Sequence, residues 1–347
     1  MNSSYDIVVT GIAAVSAAGV GIIPLIEAVR SGTSVLQPVP CEVSVGDGLL
    51  WGKAEAFRAA DFMPPLKARR FDRASLFAVA AAGMALKDAG IDPRAGNGDR
   101  IGIALGCGFG GIVNSEEFLR GWFEKGQEGL VPMLFPNTVP NAPASNASIE
   151  HGMKGPNVTQ VQRFCSAEAA VQMACRFLEE GRADVMLTGG VDELNPIVMQ
   201  GFASAGQLHS WAKGFGEGCG MLVLERRDSA AARGATPRAA ITGIRTIGRL
   251  IPGREEEGAE RLRGSGTPGC ISFSGCADEL PFLADRFLGI ETVSVGRLVG
   301  RSLAMGGLTL AALAAMLPAG RTGLHLAASP EGPYFAIDLA GGAPVQP

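Results

Sequence analysis

The chain has 347 residues, of which 47% are hydrophobic and 18% charged, and its formal net charge is −4. These proportions indicate a globular protein with a large core, and the small negative charge argues against nucleic-acid binding. The N-terminus lacks the basic start and apolar run of a signal peptide, no apolar stretch reaches the roughly 18 residues of a membrane span, and the seven cysteines include no CxxC pair. We therefore expect a reduced, cytoplasmic protein without a metal, a nucleic-acid partner or a membrane partner.

Strands and helices are predicted to alternate along the chain. In the first part, apolar and β-branched runs predict strands at 6–10, 100–105, 157–161, 184–187 and 221–225. Helices are predicted between them at 74–89, 114–125, 166–180 and 195–203. The second part has predicted strands at 240–246, 270–274, 292–295, 323–327 and 334–339. This alternation predicts an α/β layered fold, and its recurrence in two parts suggests an internal duplication.

Two predicted helices, 166–178 and 302–317, are rich in alanine, glycine and methionine and carry almost no charge. Helices that are apolar on every side are buried, and small residues let two backbones approach closely. Composition alone is equally compatible with ordinary core helices. Their occurrence once in each half favours a central, symmetric pair.

The segment GCGFGG at 106–111 follows a predicted strand and precedes a predicted helix, so it matches the G-x-G-x-x-G pattern of dinucleotide-binding folds. The pattern begins about a hundred residues into the chain, and no strand ending in an acidic residue follows about 20 residues later. A tight strand-to-helix turn is the plainer interpretation. We expect no cofactor.

The chain contains three histidines, His151, His209 and His325. None is spaced with a carboxylate or a cysteine in a recognisable metal-binding or triad pattern, and a general base needs a positioned partner. We therefore predict a structural or surface role for each of them.

Six segments in order carry a family resemblance: YDIVVTGIAAVSAAGVG, RRFDRASLFAVAAAGMALKDAGID, RIGIALGCGFGG, PNTVPNAPASNASIEHGMKGPN, RADVMLTGGVDE and GFGEGCGMLVLERRDSAAARG. With them the chain resembles the β-ketoacyl synthases over nearly its whole length. The resemblance implies a thiolase-like α/β fold, duplicated and five-layered (αβαβα), with two central buried helices. It divides the chain into an N-terminal half at 1–235 and a shortened C-terminal half at 236–347.

The same resemblance places other residues where the family has its catalytic Cys-His-His set. Counting along GPNVTQVQRFCSAEAA puts the nucleophilic cysteine at Phe164. The first histidine falls at Ser274 in ISFSGCAD, and the second falls at Arg301 in GRLVGRSLAMGG, whose Gly296 stands at the family's lysine. An arginine at the start of an alanine-rich helix opposes the helix dipole, so we expect Arg301 to meet a carboxylate or a backbone carbonyl.

This pattern is most similar to the chain length factor, the silent partner of type II polyketide ketosynthases. The resemblance implies no catalytic set, a heterodimer with an active ketosynthase alpha subunit, and contact with an acyl carrier protein through that complex. It also implies a product tunnel at the interface, with Ile112, Ser115 and Leu119 as the gate. These residues are spaced i, i+3 and i+7, so they share one helix face, although such a stripe is also compatible with ordinary core.

Cys165 is the alternative nucleophile. A thiol in the first turn of a buried helix meets the positive end of the helix dipole, which favours the thiolate. A buried cysteine also commonly packs as a small, inert hydrophobe. We favour the inert interpretation, because side chains one residue apart on a helix point about 100° apart and would not share a site. The alternative function is a divergent acyltransferase or condensing enzyme that uses Cys165.

Overall fold

The computed structural model describes residues 4–40, 43, 48–207, 214–264, 266–330 and 332–342. The strands in these ranges are β1 Ser4–Ser16, β2 Gly19–Val20, β3 Gln37–Pro38, β4 Leu50–Gly52, β5 Ile101–Cys107, β6 Asn157–Gln160, β7 Val185–Asp192, β8 Gly214–Gly216, β9 Gly218–Arg226, β10 Ala239–Ile247, β11 Cys270–Gly275, β12 Glu291–Val293, β13 Thr322–Ala328 and β14 Tyr334–Gly341.

The α-helices in the same ranges are α1 Ile22–Ser31, α2 Pro65–Ala68, α3 Arg73–Ala89, α4 Ile112–Lys125, α5 Ala142–His151, α6 Ser166–Glu179, α7 Pro196–Ser204, α8 Arg227–Ala232, α9 Glu255–Arg263, α10 Pro281–Ala284, α11 Gly296–Val299 and α12 Gly306–Met316. Among these described residues, no helix combines the length and the apolar character that crossing a membrane would require.

Ten strands form one mixed sheet in the order β12-β11-β13-β14-β10-β1-β9-β7-β5-β6, and β2 adds to β1. Each half contributes five strands. If the five strands of each half are numbered 1 to 5 in chain order, both sets lie in the order 3-2-4-5-1, counted from the outer edge of the sheet inwards. Strands 3, 2 and 4 pair in parallel, and strand 5 pairs antiparallel with both of its neighbours. The halves meet where β1 pairs antiparallel with β10. This repeat confirms the predicted duplication.

The core is divided into layers by the alternation of side chains along the strands. On β7, Val185 and Leu187 pack against α3 and α5, whereas Met186 faces the central helices α6 and α12. In the second half, Leu324 and Leu326 of β13 pack with α9 and α10, and Ala327 faces the centre. Successive residues of a strand point to opposite faces, so each half-sheet is covered on both sides. The result is the five-layered α/β arrangement that the resemblance implied.

All ten predicted strands correspond to the ten strands of the large sheet's main path, and the predicted helices at 74–89, 114–125, 166–180 and 195–203 correspond to α3, α4, α6 and α7. The prediction for 302–317 begins too early, since α12 starts at Gly306. The residues before it are held as a turn by Asp192 at the end of β7, whose Oδ2 accepts hydrogen bonds from the Ser302 hydroxyl and, at 2.6 Å, from the Ala304 N–H.

Glycines allow the central helices to lie directly on the strands. A Cβ placed on Gly106 of β5 would lie 2.4 Å from the backbone nitrogen of Ala167 in α6. One placed on Gly220 of β9 would lie 2.2 Å from the backbone carbon of Gly307 in α12. Gly106 opens the GCGFGG segment, so the first glycine of that pattern is required for helix packing.

Replacing Gly220 by alanine tests this close approach. We expect Gly220→Ala to lower the free energy of unfolding by about 3 kcal/mol or more, because its methyl group would meet backbone atoms that cannot rotate away. Gly201→Ala is the matched control, since it lies within α7 with no heavy atom within 4 Å of the new Cβ. The free energy of unfolding of Gly201→Ala should rise by up to about 1 kcal/mol. Urea denaturation measures both, and equal midpoints for Gly220→Ala and the parent protein would contradict the assignment.

Candidate functional site

Phe164 lies in a strained turn between β6 and α6. The residue before it, Arg163, has a left-handed backbone with φ 51°, which L-amino acids rarely adopt. The Phe164 side chain is 6% exposed and belongs to an apolar cluster with Trp51, Met199 and Phe215. The turn therefore directs a phenyl ring into the core, where it offers no nucleophilic atom.

Arg301 is 8% exposed and held by three acceptors. Its guanidinium donates to the Gly275 carbonyl at 3.0 Å, to Glu279 Oε1 at 3.0 Å and to Asp278 Oδ2 at 2.7 Å. The expected carboxylate and carbonyl partners of this arginine are therefore confirmed. Because a guanidinium stays protonated in proteins, Arg301 cannot exchange a proton as an imidazole would.

Phe164, Ser274 and Arg301 converge on one backbone position. A Cβ on Gly275, the residue after Ser274, would lie 2.8 Å from the Cβ of Phe164, and the carbonyl of the same glycine accepts from Arg301. The three positions that the resemblance assigns to the Cys-His-His set are thus neighbours in space. They hold a phenyl ring, a hydroxyl and a fixed cation.

Ser274 is joined to a buried carboxylate and an imidazole. Its hydroxyl donates to Glu168 Oε1 at 2.6 Å, and His325 Nε2 lies 2.8 Å from the same oxygen. On the other side of the ring, His325 Nδ1 lies 2.9 Å from Ser272 Oγ. Glu168, Ser272 and His325 are fully buried, and Ser274 is 8% exposed. The fold therefore builds a hydrogen-bonded chain of hydroxyl, carboxylate and imidazole.

The sequence did not predict this hydrogen-bonded series of side chains, because Glu168 and His325 are 157 residues apart. The available signal was the isolation of each group: Glu168 is an acidic residue in the first turn of a helix with little charge, and His325 interrupts the apolar strand GLHLAA. His151 is half-buried with Nε2 2.8 Å from the Val79 carbonyl, and His209 lies outside the described residues. Within the described part of the chain, no group of three His, Cys, Asp or Glu side chains could hold a metal ion.

A cleft opens beside Ser274, and we call it the Ser274 cleft. Its walls include the residues at the positions that the resemblance assigns to the two histidines and the lysine. They also include the first residue of α12 and apolar side chains from β11, from the segment after β12 and from α12: Phe273, Ser274, Val295, Gly296, Arg301, Gly306 and Leu308. Phe164 is not among its lining residues. The cleft therefore reaches Ser274 on a side that the phenyl ring does not line.

Cys165 is fully buried, and its Sγ donates a hydrogen bond to the Pro333 carbonyl at 3.2 Å. Burial raises the pKa of the Cys165 thiol well above its ordinary value, and the nearby Glu168 carboxylate raises it further. Both effects disfavour the thiolate, which is the reactive form.

The stripe on α4 lies near the surface. Ile112 and Ser115 are partly buried, and the Ser115 hydroxyl donates to the carbonyls of Gly111 at 3.1 Å and Thr138 at 3.2 Å. Leu119, one turn further, is 51% exposed. The stripe therefore runs from the interior to the surface of the isolated chain.

Two adjacent carboxyl groups at the end of β7 connect the turns around the site. Asp192 accepts from the Gly108 N–H at 2.8 Å as well as from the turn before α12, and Glu193 accepts from the Val113 N–H at 2.9 Å. Burial raises the pKa of Asp192 to about 6 and that of Glu193 to about 7, because desolvation disfavours the charged forms. Glu193 fixes the first turn of α4, on which the stripe lies.

Most of the chain is similar in sequence to known proteins. Residues 4–230 match the family model of the β-ketoacyl synthase N-terminal domain. The 3-oxoacyl-[acyl-carrier-protein] synthase 2 of Staphylococcus aureus strain MRSA252 is 30% identical over 282 residues, which are 75% of this chain and 68% of that protein.

Two solved structures share the architecture. One is a type II polyketide ketosynthase in complex with its acyl carrier protein and bound to the hexaketide (TM-score 0.82, 20% identity, 98% of this chain and 100% of that chain). The other is the ishigamide ketosynthase/chain length factor (TM-score 0.78, 21% identity, 96% of this chain and 99% of that chain). At these identities the likeness concerns the fold alone.

The raised pKa of Glu193 predicts a pH-dependent stability. Its folded-state pKa of about 7 lies above the unfolded value of 4.5, so Glu193 contributes most stability at pH values below 4.5, and this contribution is lost as the pH rises through 7. The difference corresponds to about 3 kcal/mol in total. Between pH 5 and 8 the parent protein should therefore lose more unfolding free energy than Glu193→Gln, by up to about 3 kcal/mol.

Urea denaturation at several pH values measures this difference. Glu55→Gln, at an exposed carboxyl group, is the control and should follow the parent protein. Parallel pH profiles for the parent protein and Glu193→Gln would show that the Glu193 carboxyl group does not titrate in this range.

Proposed function

Since this chain belongs to the β-ketoacyl synthase family, we propose that it acts as a chain length factor, a subunit that does not condense acyl groups itself. It pairs with an active ketosynthase in polyketide or polyene elongation on an acyl carrier protein and shapes the tunnel that receives the product. The observation that carries this proposal is the buried phenyl ring of Phe164 at the nucleophile position.

The two replaced histidines support the same function. Decarboxylative condensation requires donors that stabilise a thioester enolate, and preorganised hydrogen bonds of this kind are usually the largest catalytic contribution. The Arg301 guanidinium donates to Gly275, Asp278 and Glu279, and the Ser274 hydroxyl donates a hydrogen bond to Glu168. Neither residue offers the imidazole that the family uses at its position.

An exposed apolar surface supports the expected partner subunit. Large hydrophobic side chains on α4 and in the segment after it are exposed in the isolated chain: Leu119 51%, Trp122 44%, Phe123 81%, Met133 72% and Phe135 60%. Clustered exposed apolar groups of this kind mark interaction sites. One structural neighbour is described as a ketosynthase/chain length factor and another as a ketosynthase in complex with its acyl carrier protein, and the present chain would use this surface to bind a ketosynthase.

The position of the α4 stripe fits a gate at that interface. Ile112 and Ser115 lie on the inner part of the helix, and Leu119 lies on its exposed part. A product tunnel entering from the partner would meet Leu119 first and Ile112 last. A large side chain at the inner end of the tunnel would take the space of product methylene groups, and each excluded methylene group would lose about 1 kcal/mol of favourable burial. Large side chains there would therefore limit the product's chain length sharply.

Enlarging the inner stripe residues tests the gate. With an active ketosynthase and an acyl carrier protein, Ile112→Trp and Ser115→Phe should shorten the product made by the pair, as measured by mass spectrometry of released chains. The matched control is Glu117→Trp, which adds similar bulk on nearly the opposite face of α4. Copurification with the ketosynthase reports whether each variant still pairs. Unchanged product length in paired Ile112→Trp and Ser115→Phe proteins would refute the gate assignment.

The alternative function, a divergent acyltransferase or condensing enzyme, depends on a reactive Cys165. Because burial raises the pKa of this thiol, we expect iodoacetamide to label Cys165 in the native chain no faster than the other fully buried cysteines, such as Cys175 and Cys219. All of them should react after denaturation. Peptide mass mapping measures the rates, and rapid, selective labelling of native Cys165 would favour the alternative.

A further inference from the structure

The hydroxyl of Ser274 has the surroundings of an activated nucleophile. It lines the Ser274 cleft and donates to Glu168 Oε1 at 2.6 Å. Separations of 2.5–2.7 Å are typical of hydroxyl groups that donate to a carboxylate. A weak nucleophile is activated when a base lies within hydrogen-bond reach of its proton. Ser274 therefore has both access to a ligand and an acceptor for its proton.

His325 orients this acceptor. Its Nδ1 lies 2.9 Å from the Ser272 hydroxyl, and its Nε2 lies 2.8 Å from the oxygen of Glu168 that accepts from Ser274. When Ser272 donates to Nδ1, the ring carries its proton on Nε2 and donates to Glu168. A nucleophile, a base and an orienting residue also occur in the Ser-His-Asp hydrolases, but here the carboxylate takes the place of the base and the imidazole orients it.

The second oxygen of Glu168 indicates a purpose beyond packing. Glu168 is fully buried, yet its Oε2 has no hydrogen-bond partner among the described residues. Buried polar atoms are almost always paired, and leaving one unpaired costs about 1–3 kcal/mol. The free Oε2 leaves the Glu168 carboxylate with a second oxygen that can hold a proton.

The start of α12 supplies the electrostatic environment. Gly306, its first residue, lines the Ser274 cleft, and a Cβ placed on it would lie 2.1 Å from Glu168 Oε1. A helix leaves its first N–H groups without acceptors in the helix, and its N-terminus stabilises negative charge. The same helix end therefore faces the carboxylate and the space in which a carbonyl oxygen would become negative.

From this geometry we propose that Ser274 is the nucleophile of a thioester hydrolysis that requires no partner subunit. Ser274 Oγ forms a bond to the acyl carbonyl carbon as the carbon–sulfur bond breaks, and Glu168 takes the hydroxyl proton and delivers it to the leaving thiol. The product is an acyl ester on Ser274. Water, deprotonated by Glu168, then cleaves the ester, releasing a carboxylic acid and restoring the serine hydroxyl.

The substrate class follows from the cleft and the family. The walls formed by Phe273, Val295 and Leu308 are apolar, so they suit an acyl chain rather than a polar substrate. The thioester linkage rests on membership in a family named for acyl-carrier-protein substrates. This activity goes beyond the proposed chain length factor role, because it uses neither the α4 stripe nor a ketosynthase.

The test uses the full chain alone with hexanoyl-N-acetylcysteamine. Wild-type protein should release hexanoate and carry one hexanoyl ester, located on Ser274 by peptide mass mapping. Ser274→Ala should lose both signals, and Glu168→Gln should slow acylation by about 10²–10⁴-fold, the range expected for removing a general base. Thr188→Val is the control, since it removes a buried hydroxyl without a hydrogen-bond partner outside the cleft, and it should keep the wild-type rate.

Three results would overturn the proposal: no acyl group on wild-type Ser274, hydrolysis by Ser274→Ala at the wild-type rate, or an acyl group on Cys165 instead. The outcome is separable from that of the proposed function. Ser274→Ala paired with an active ketosynthase should make products of unchanged length, whereas the α4 variants should alter length and leave hydrolysis by the isolated chain intact.

Discussion

The structure depends on two buried carboxylates, Glu168 and Asp192, that join the halves of the duplicated fold at their centre. Asp192 comes from β7 in the first half and holds the turn that begins α12 in the second. Glu168 comes from α6 and binds Ser274 and His325 of the second half. Burial penalises such charges heavily, and helix N-termini together with several hydrogen bonds offset that penalty. This pairing of charge and helix end fixes the geometry of the whole site.

The positions that the resemblance assigns to catalysis carry other side chains on the fold of this family. The strained turn at Arg163 still delivers the next side chain into the site, but that side chain is a phenyl ring packed among aromatic neighbours. Arg301 fills the second histidine position and closes the turn after β11 through Asp278 and Glu279. A cleft lies beside these residues, and Ser274 lines it.

Periodicity predicted most of the fold. The ten strands of the main sheet were recognised because each carries apolar or β-branched residues on both faces, as buried strands do. The helices α1, α5 and α9, of nine or ten residues each, were not predicted. Shorter elements such as β3, β4 and α11 were not predicted either, since two to four residues carry no periodic signal. α12 begins four residues later than its composition indicates, because the Asp192 carboxylate, distant in sequence, holds residues 302–304 outside the helix.

The sequence by itself predicted which residues stand at the family's catalytic positions, because that comparison needs only motif order. It also predicted a partner for Arg301 from the electrostatics of a helix end, although α12 begins five residues after this arginine. The tertiary structure alone decided which partner, and it alone brought Ser274 and His325 to Glu168. Those contacts join α6 to two strands of the other half, and hydrogen bonds between groups more than 100 residues apart leave no local pattern. Only folding brings them within 3 Å of one another.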